Sequence, residues 1–109
     1  MCGEPGVAIH MLHIVNKSPA QATALASCLR FAQDGAALLL IEDAVYAATA
    51  ALAPACGLAD AVKRLRVHVL KPDADARGMS GRLIDGVGLV GYDGFVELVA
   101  AHPSNQSWI

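Results

Sequence analysis

The side chains of this chain that could do covalent or metal chemistry are few: three cysteines, Cys2, Cys28 and Cys56, and four histidines, His10, His13, His68 and His102. The cysteines are odd in number and widely spaced, which argues against a disulfide framework and for reduced thiols. Cys28 lies three residues after Leu25 and four before Ala32, on or beside the apolar stripe of an expected helix. A free thiol in that setting most often packs as a small hydrophobe. Reactivity would require partial exposure and a neighbouring positive charge to favour the thiolate. Arg30, two residues away, does not share the face of Cys28. Cys56, beside Gly57 in a connection, has no visible activator. His10-x-x-His13 is the one tight histidine spacing, and strand geometry separates the two rings with no cysteine or carboxylate at ligand spacing. That pattern does not support a metal site. Neither GxGxxG nor GxxxxGK followed by Ser or Thr occurs, so no nucleotide loop is read and no cofactor is expected.

The elements that must position Cys28 begin with Leu12 to Val15, an apolar strand, and a helix from Pro19 to about Ala32. Ser18 is placed to cap that helix, Pro19 fits its first position, and Gln21 stands where a side chain can reach back to the cap. Asp34-Gly35 ends it. Ala36 to Glu42 is the most continuous apolar run and predicts a strand covered on both faces. Asp43 then reads as the N-cap of a second helix to about Leu52, broken by Pro54. A short helix over Leu58 to Lys63 precedes a strand over Leu65 to Leu70, whose Leu65, Val67 and Val69 share one face. Lys71 to Gly78 predicts one or two helical turns, Val87 to Val90 a strand, and Asp93 the cap of a last helix to about Ala101. The tail carries Trp108, expected to dock, and is a candidate fifth strand. Alternation of strand and helix selects an α/β fold, a three-layer α/β/α arrangement with a mainly parallel sheet of four to five strands.

At 109 residues the chain is long enough for one domain and too short for two. The reading is a single domain over 11–109 preceded by a frayed extension over 1–10. Its composition, 55% hydrophobic and 17% charged, exceeds the apolar share of typical soluble domains. We attribute the surplus to surface covered by another subunit, with the Ala-rich tract from Ala47 to Ala55 suited to close packing against it. A net charge of −2 and few aromatics argue against direct nucleic-acid binding, and Lys63, Arg64 and Arg66 are best explained as cations near a helix end. No apolar run reaches bilayer-spanning length and the first ten residues lack signal-peptide character, so a cytoplasmic location without membrane contact is expected.

Several linked segments carry a resemblance: MLHIVNKSP at 11–19, CLRFA at 28–32, LLLIEDAVYAA at 38–48, VLKPDADARG at 69–78, GYDGFVEL at 91–98 and the closing Ser107-Trp108. In order and spacing they are similar to the DsrH/TusB family of small sulfur-relay proteins. The resemblance implies a subunit of a heterohexamer, with two copies each of DsrE/TusD-like, DsrF/TusC-like and DsrH/TusB-like chains of one α/β fold. Such a complex accepts sulfur as a protein persulfide and exchanges it with DsrC/TusE-like and TusA-like carriers. The destination is sulfur oxidation in one branch and 2-thiouridine at the tRNA wobble position in the other. The main persulfide cysteine is implied to belong to the DsrE/TusD-type subunit. Members of the DsrH type carry a cysteine in the first helix, where Cys28 falls, so the resemblance nominates Cys28 as a catalytic, sulfur-handling thiol and leans the chain toward DsrH. Two departures stand out, Ala44 where the family has Gly and the ten-residue leader. The competing implication is a non-catalytic structural subunit of the TusB kind.

Overall fold

A computed structural model describes residues 11–108; the expected extension over 1–10 lies outside the described residues. Five strands, β1 (Leu12–Val15), β2 (Ala37–Leu40), β3 (Arg66–Leu70), β4 (Val87–Val90) and β5 (Asn105–Trp108), form one sheet. Every pairing is parallel, in the order β4-β3-β2-β1-β5. The chain therefore steps outward from β1 to β4 and returns to the far side of β1. Parallel strands need crossovers, and that reversal puts helices on both faces of the sheet. One face carries Val15, Leu38, Leu40, Val67 and Val69, packed against α1 (Ala24–Phe31), α2 (Ala53–Cys56), α3 (Leu58–Ala61) and α4 (Lys71–Ala76). The other face, with Leu12, Ala37 and Leu39, is covered among the described residues by one helix, α5 (Tyr92–Ala101). The result is the expected three-layer α/β/α arrangement, with the tail as the fifth strand. No helix among the described residues is long and apolar enough to cross a membrane.

Three local expectations are corrected. The first helix starts at Ala24, not Pro19. The signals at 18–21 are used in a separate turn: Ser18 Oγ accepts the Ala20 N–H at 3.1 Å and the Ser18 carbonyl accepts those of Gln21 and Ala22. The helix begins beside Leu25, the first side chain of the buried stripe that also holds Cys28.

The second helix is a 3-10 helix over Glu42–Ala48, with Ile41 in the cap position that Asp43 was expected to fill. At three residues per turn, side chains three apart eclipse. Ala44 with Ala47 and Val45 with Ala48 thus form two ridges that are wholly buried. The period of the apolar positions fits the tighter coil. The third correction follows: Ala47, Ala48 and Ala53 belong to the chain's own core and present no partner surface, while Ala50, Ala51 and Ala55 are exposed.

Gly57 and Gly94 are among the glycines that geometry requires. Gly57 takes φ +90 between α2 and α3, a left-handed conformation that side chains disfavour. A Cβ on Gly94 would stand 2.9 Å from that of Val90, so α5 can lie on β4 only because position 94 has no side chain.

Candidate functional site

Cys28 is carried by α1 into the centre of the larger core cluster, among Val15, Leu25, Leu38 and Leu40, and is fully buried. Burial pushes its thiol up to about 12, because a thiolate there loses its hydration. A positive charge opposes that shift, and it is Arg64 rather than Arg30. Arg64 comes from the turn after α3 and reaches the carboxyl end of α1. Its guanidinium donates to the Leu29 carbonyl at 2.5 Å and the Ala32 carbonyl at 2.8 Å, and contacts Asp34 Oδ1 at 3.2 Å. Of the basic cluster, Arg64 thus complements a helix end, although the helix is α1 and lies more than thirty residues earlier in the chain, whereas Lys63 pairs with Asp60 and Arg66 reaches the Gly35 carbonyl and His102. Desolvation outweighs this attraction, so the activating cation is present while the exposure a reactive thiol requires is not.

Cys56 is half-buried, with Sγ 3.6 Å from the Ala47 carbonyl and 3.7 Å from that of Ala53. It lines an open cavity of about 360 Å³ between the start of α1 and α2, together with Pro19, Thr23, Leu25 and Leu52. Cys28 does not line that cavity. Cys2 and His10 lie outside the described residues.

The carboxyl ends of the strands carry a polar network in place of the caps read from sequence. Arg77 Nε donates to Asp43 Oδ1 at 3.0 Å, and Arg77 Nη1 donates to the Asp73 carbonyl at 3.1 Å. Asp73 Oδ2 accepts the Glu42 N–H at 2.7 Å. These bonds tie the 3-10 helix to α4 and hold Glu42 at φ +51, the one non-glycine residue with positive φ among those described. Lys71 and Ser80 both donate to the Asp75 carboxylate and hold it below the usual carboxylate range. Asp93 sits in the first turn of α5, where the cap position belongs to Gly91.

His13 is the polar residue that sequence reasoning undervalued. It is buried on β1 and its Nδ1 accepts the Trp108 indole N–H at 3.1 Å, with Phe31 edge-on at a centroid distance of 6.0 Å. Burial pulls its pKa below the ordinary histidine value. The pairing explains how the expected docking of Trp108 is achieved, since strand register places Trp108 beside Val15 on the edge strand next to β1. No group of three or more His, Cys, Asp or Glu side chains among the described residues is placed to hold a metal ion.

These features define a small parallel α/β/α domain whose helical thiol is enclosed by its own core. Comparison with known proteins gives the family. Residues 17–105 match the family described as DsrH like protein. The TusB proteins of Pectobacterium parmentieri, Enterobacter sp. (strain 638) and Escherichia coli (strain K12) are 37%, 40% and 36% identical, each aligned over 90% of this chain and all of the relative. The crystal structure of the ychN protein from E. coli superposes with a TM-score of 0.73 at 20% identity, covering 90% of this chain and 97% of that one, which establishes likeness of fold. The chain belongs to the DsrH/TusB family, and is a subunit of a sulfur-relay complex.

Proposed function

We propose that this chain is an accessory subunit that completes and positions a cytoplasmic persulfide-transfer complex. Its partners in this reading are DsrE/TusD-like and DsrF/TusC-like chains in a hetero-oligomer, with DsrC/TusE-like and TusA-like carriers delivering and removing sulfur. The residues from 11 onward serve as its single domain. The persulfide is carried by a partner's cysteine. The observation that carries the reading is the enclosure of Cys28: a relay thiol must attack the outer sulfur of a donor as thiolate, and a fully buried thiol titrating at about 12 offers neither access nor charge at neutral pH. The TusB names of the relatives weigh the destination toward 2-thiouridine in tRNA rather than sulfur oxidation.

A second reading keeps Cys28 as a relay thiol that acts when assembly or a carrier opens the end of α1. Arg64 favours it, because its charge is already in place to lower the thiol once water enters.

Mass spectrometry of the co-purified complex, alkylated after incubation with a persulfide donor, separates the two. The accessory reading expects the partner's cysteine to gain sulfur while Cys28 stays unmodified, and expects Cys28→Ala to leave transfer intact. Sulfur found on Cys28, with transfer lost in Cys28→Ala at unchanged assembly, would replace it by the relay reading.

A further inference from the structure

The sheet face that, among the described residues, is covered by the single helix α5 has an apolar surface beyond what the sheet itself can bury. Phe95 and Leu98 turn inward and are half-buried against the smaller core cluster. Tyr92, Val96 and Val99, spaced i, i+4 and i+7, form a second stripe with 62%, 67% and 38% of their surfaces exposed. At 3.6 residues per turn the two stripes together span an apolar arc of about 160°. No residue of α5 is fully buried. Phe95, Val96, Val99 and Ala100 also frame a shallow groove of about 290 Å³ without a polar side chain, the ridge-and-groove relief into which a second helix packs.

Charge indicates what covers it. All eight Lys and Arg residues of the chain lie at or before Arg82, whereas Asp85, Asp93 and Glu97 follow it. Asp93 and Glu97 are exposed, one turn apart, along one flank of the apolar arc. Two copies of α5 packed antiparallel about a two-fold axis would set these acids against themselves, and packed parallel would give them no base, since the element has none. An anionic lipid surface is opposed by the same charges.

We propose that the Tyr92-Val96-Val99 face of α5 is the docking surface for a different polypeptide, one that presents an apolar helix flanked by Lys or Arg opposite Asp93 and Glu97. The proposal rests on the subunit reading above and adds where the partner sits and how a second copy is refused.

The test uses the full chain co-expressed with DsrE-like and DsrF-like chains, carrying a photo-cross-linking benzoylphenylalanine at position 96 or, as control, at the exposed Asp60 of α3. The expected result is a cross-link from 96, absent from 60, to a non-identical chain at an apolar segment bordered by bases. The Glu97→Lys variant, which keeps Asp93 in the first turn of α5, should bind those chains about fivefold more weakly while its thermal unfolding is unchanged. Cross-linking from 96 to a second copy of this chain overturns the proposal. An intact complex in which position 96 stays uncross-linked overturns the surface and leaves the subunit reading standing; failure of any complex to form withdraws both.

Discussion

Arg64 should be the most consequential single surface cation, and Arg64→Met tests this by keeping the aliphatic stem while removing the guanidinium. Two carbonyls at the end of α1, those of Leu29 and Ala32, then lose their donor. A hydrogen bond from a charged group contributes about 1.5–3 kcal/mol when well buried. The Arg64 side chain is 34% exposed, so solvent screening reduces each to about 1 kcal/mol. The Asp34 contact adds little, because that carboxylate is 84% exposed and such pairs contribute about 0–1 kcal/mol. The expected loss is about 2 kcal/mol, or a fall in Tm of about 8 °C for a domain of this size. Denaturant melts of Arg64→Met and Asp34→Ala should therefore differ clearly, with the latter close to the parent. Fraying of the last turn of α1 should also raise the rate at which Cys28 is alkylated under native conditions. If Arg64→Met unfolds within about 0.5 kcal/mol of the parent, alongside Asp34→Ala, the carbonyl bonds hold nothing in place and the argument fails.

Three further outcomes follow from the same geometry. His13 and His68 both titrate below their ordinary value in the folded chain, so the unfolded chain binds more protons as pH falls through about 6.5. Stability is then fully present above that pH and declines below it by at most about 1.4 kcal/mol per pH unit for each histidine, until the folded values are passed. Melts between pH 7 and 5 check the slope, which should shrink in His13→Gln. Trp108→Phe leaves the buried His13 Nδ1 without its donor and should lower stability by about 1–3 kcal/mol. Amide exchange in that variant should accelerate first in β5. Glu42→Gly removes a side chain from a left-handed backbone position and should raise the unfolding free energy by about 0.5–1 kcal/mol; a loss of stability would mean that the Glu42 side chain is held by contacts that matter more than its backbone strain.

The amino-acid sequence alone determined the class of fold, because its information is local and periodic. The uninterrupted run through Leu38, Leu39 and Leu40 needs cover on two faces, and the alternation of Leu65, Val67 and Val69 sets which side of β3 meets the core. The same short-range patterns located β4 over Val87–Val90 and the docking tail. Linked motifs carried the family for a similar reason: each is a contiguous string. Helix starts were less legible, since cap chemistry at Ser18 and Asp43 suits a turn or a distant ion pair equally well, and packing of Leu25 and of the Ala44-Ala47 ridge decided between them. Everything that bears on the thiol was tertiary. Cys28 owes its burial to strands and helices that arrive before and after α1, and its one opposing charge to Arg64, brought back across the α3–β3 turn. Exposure and electrostatics depend on distance in space, which periodicity along a chain does not record. For that reason the sequence placed Cys28 on the correct stripe of its helix, and only the fold decided that the stripe faces the centre of the core.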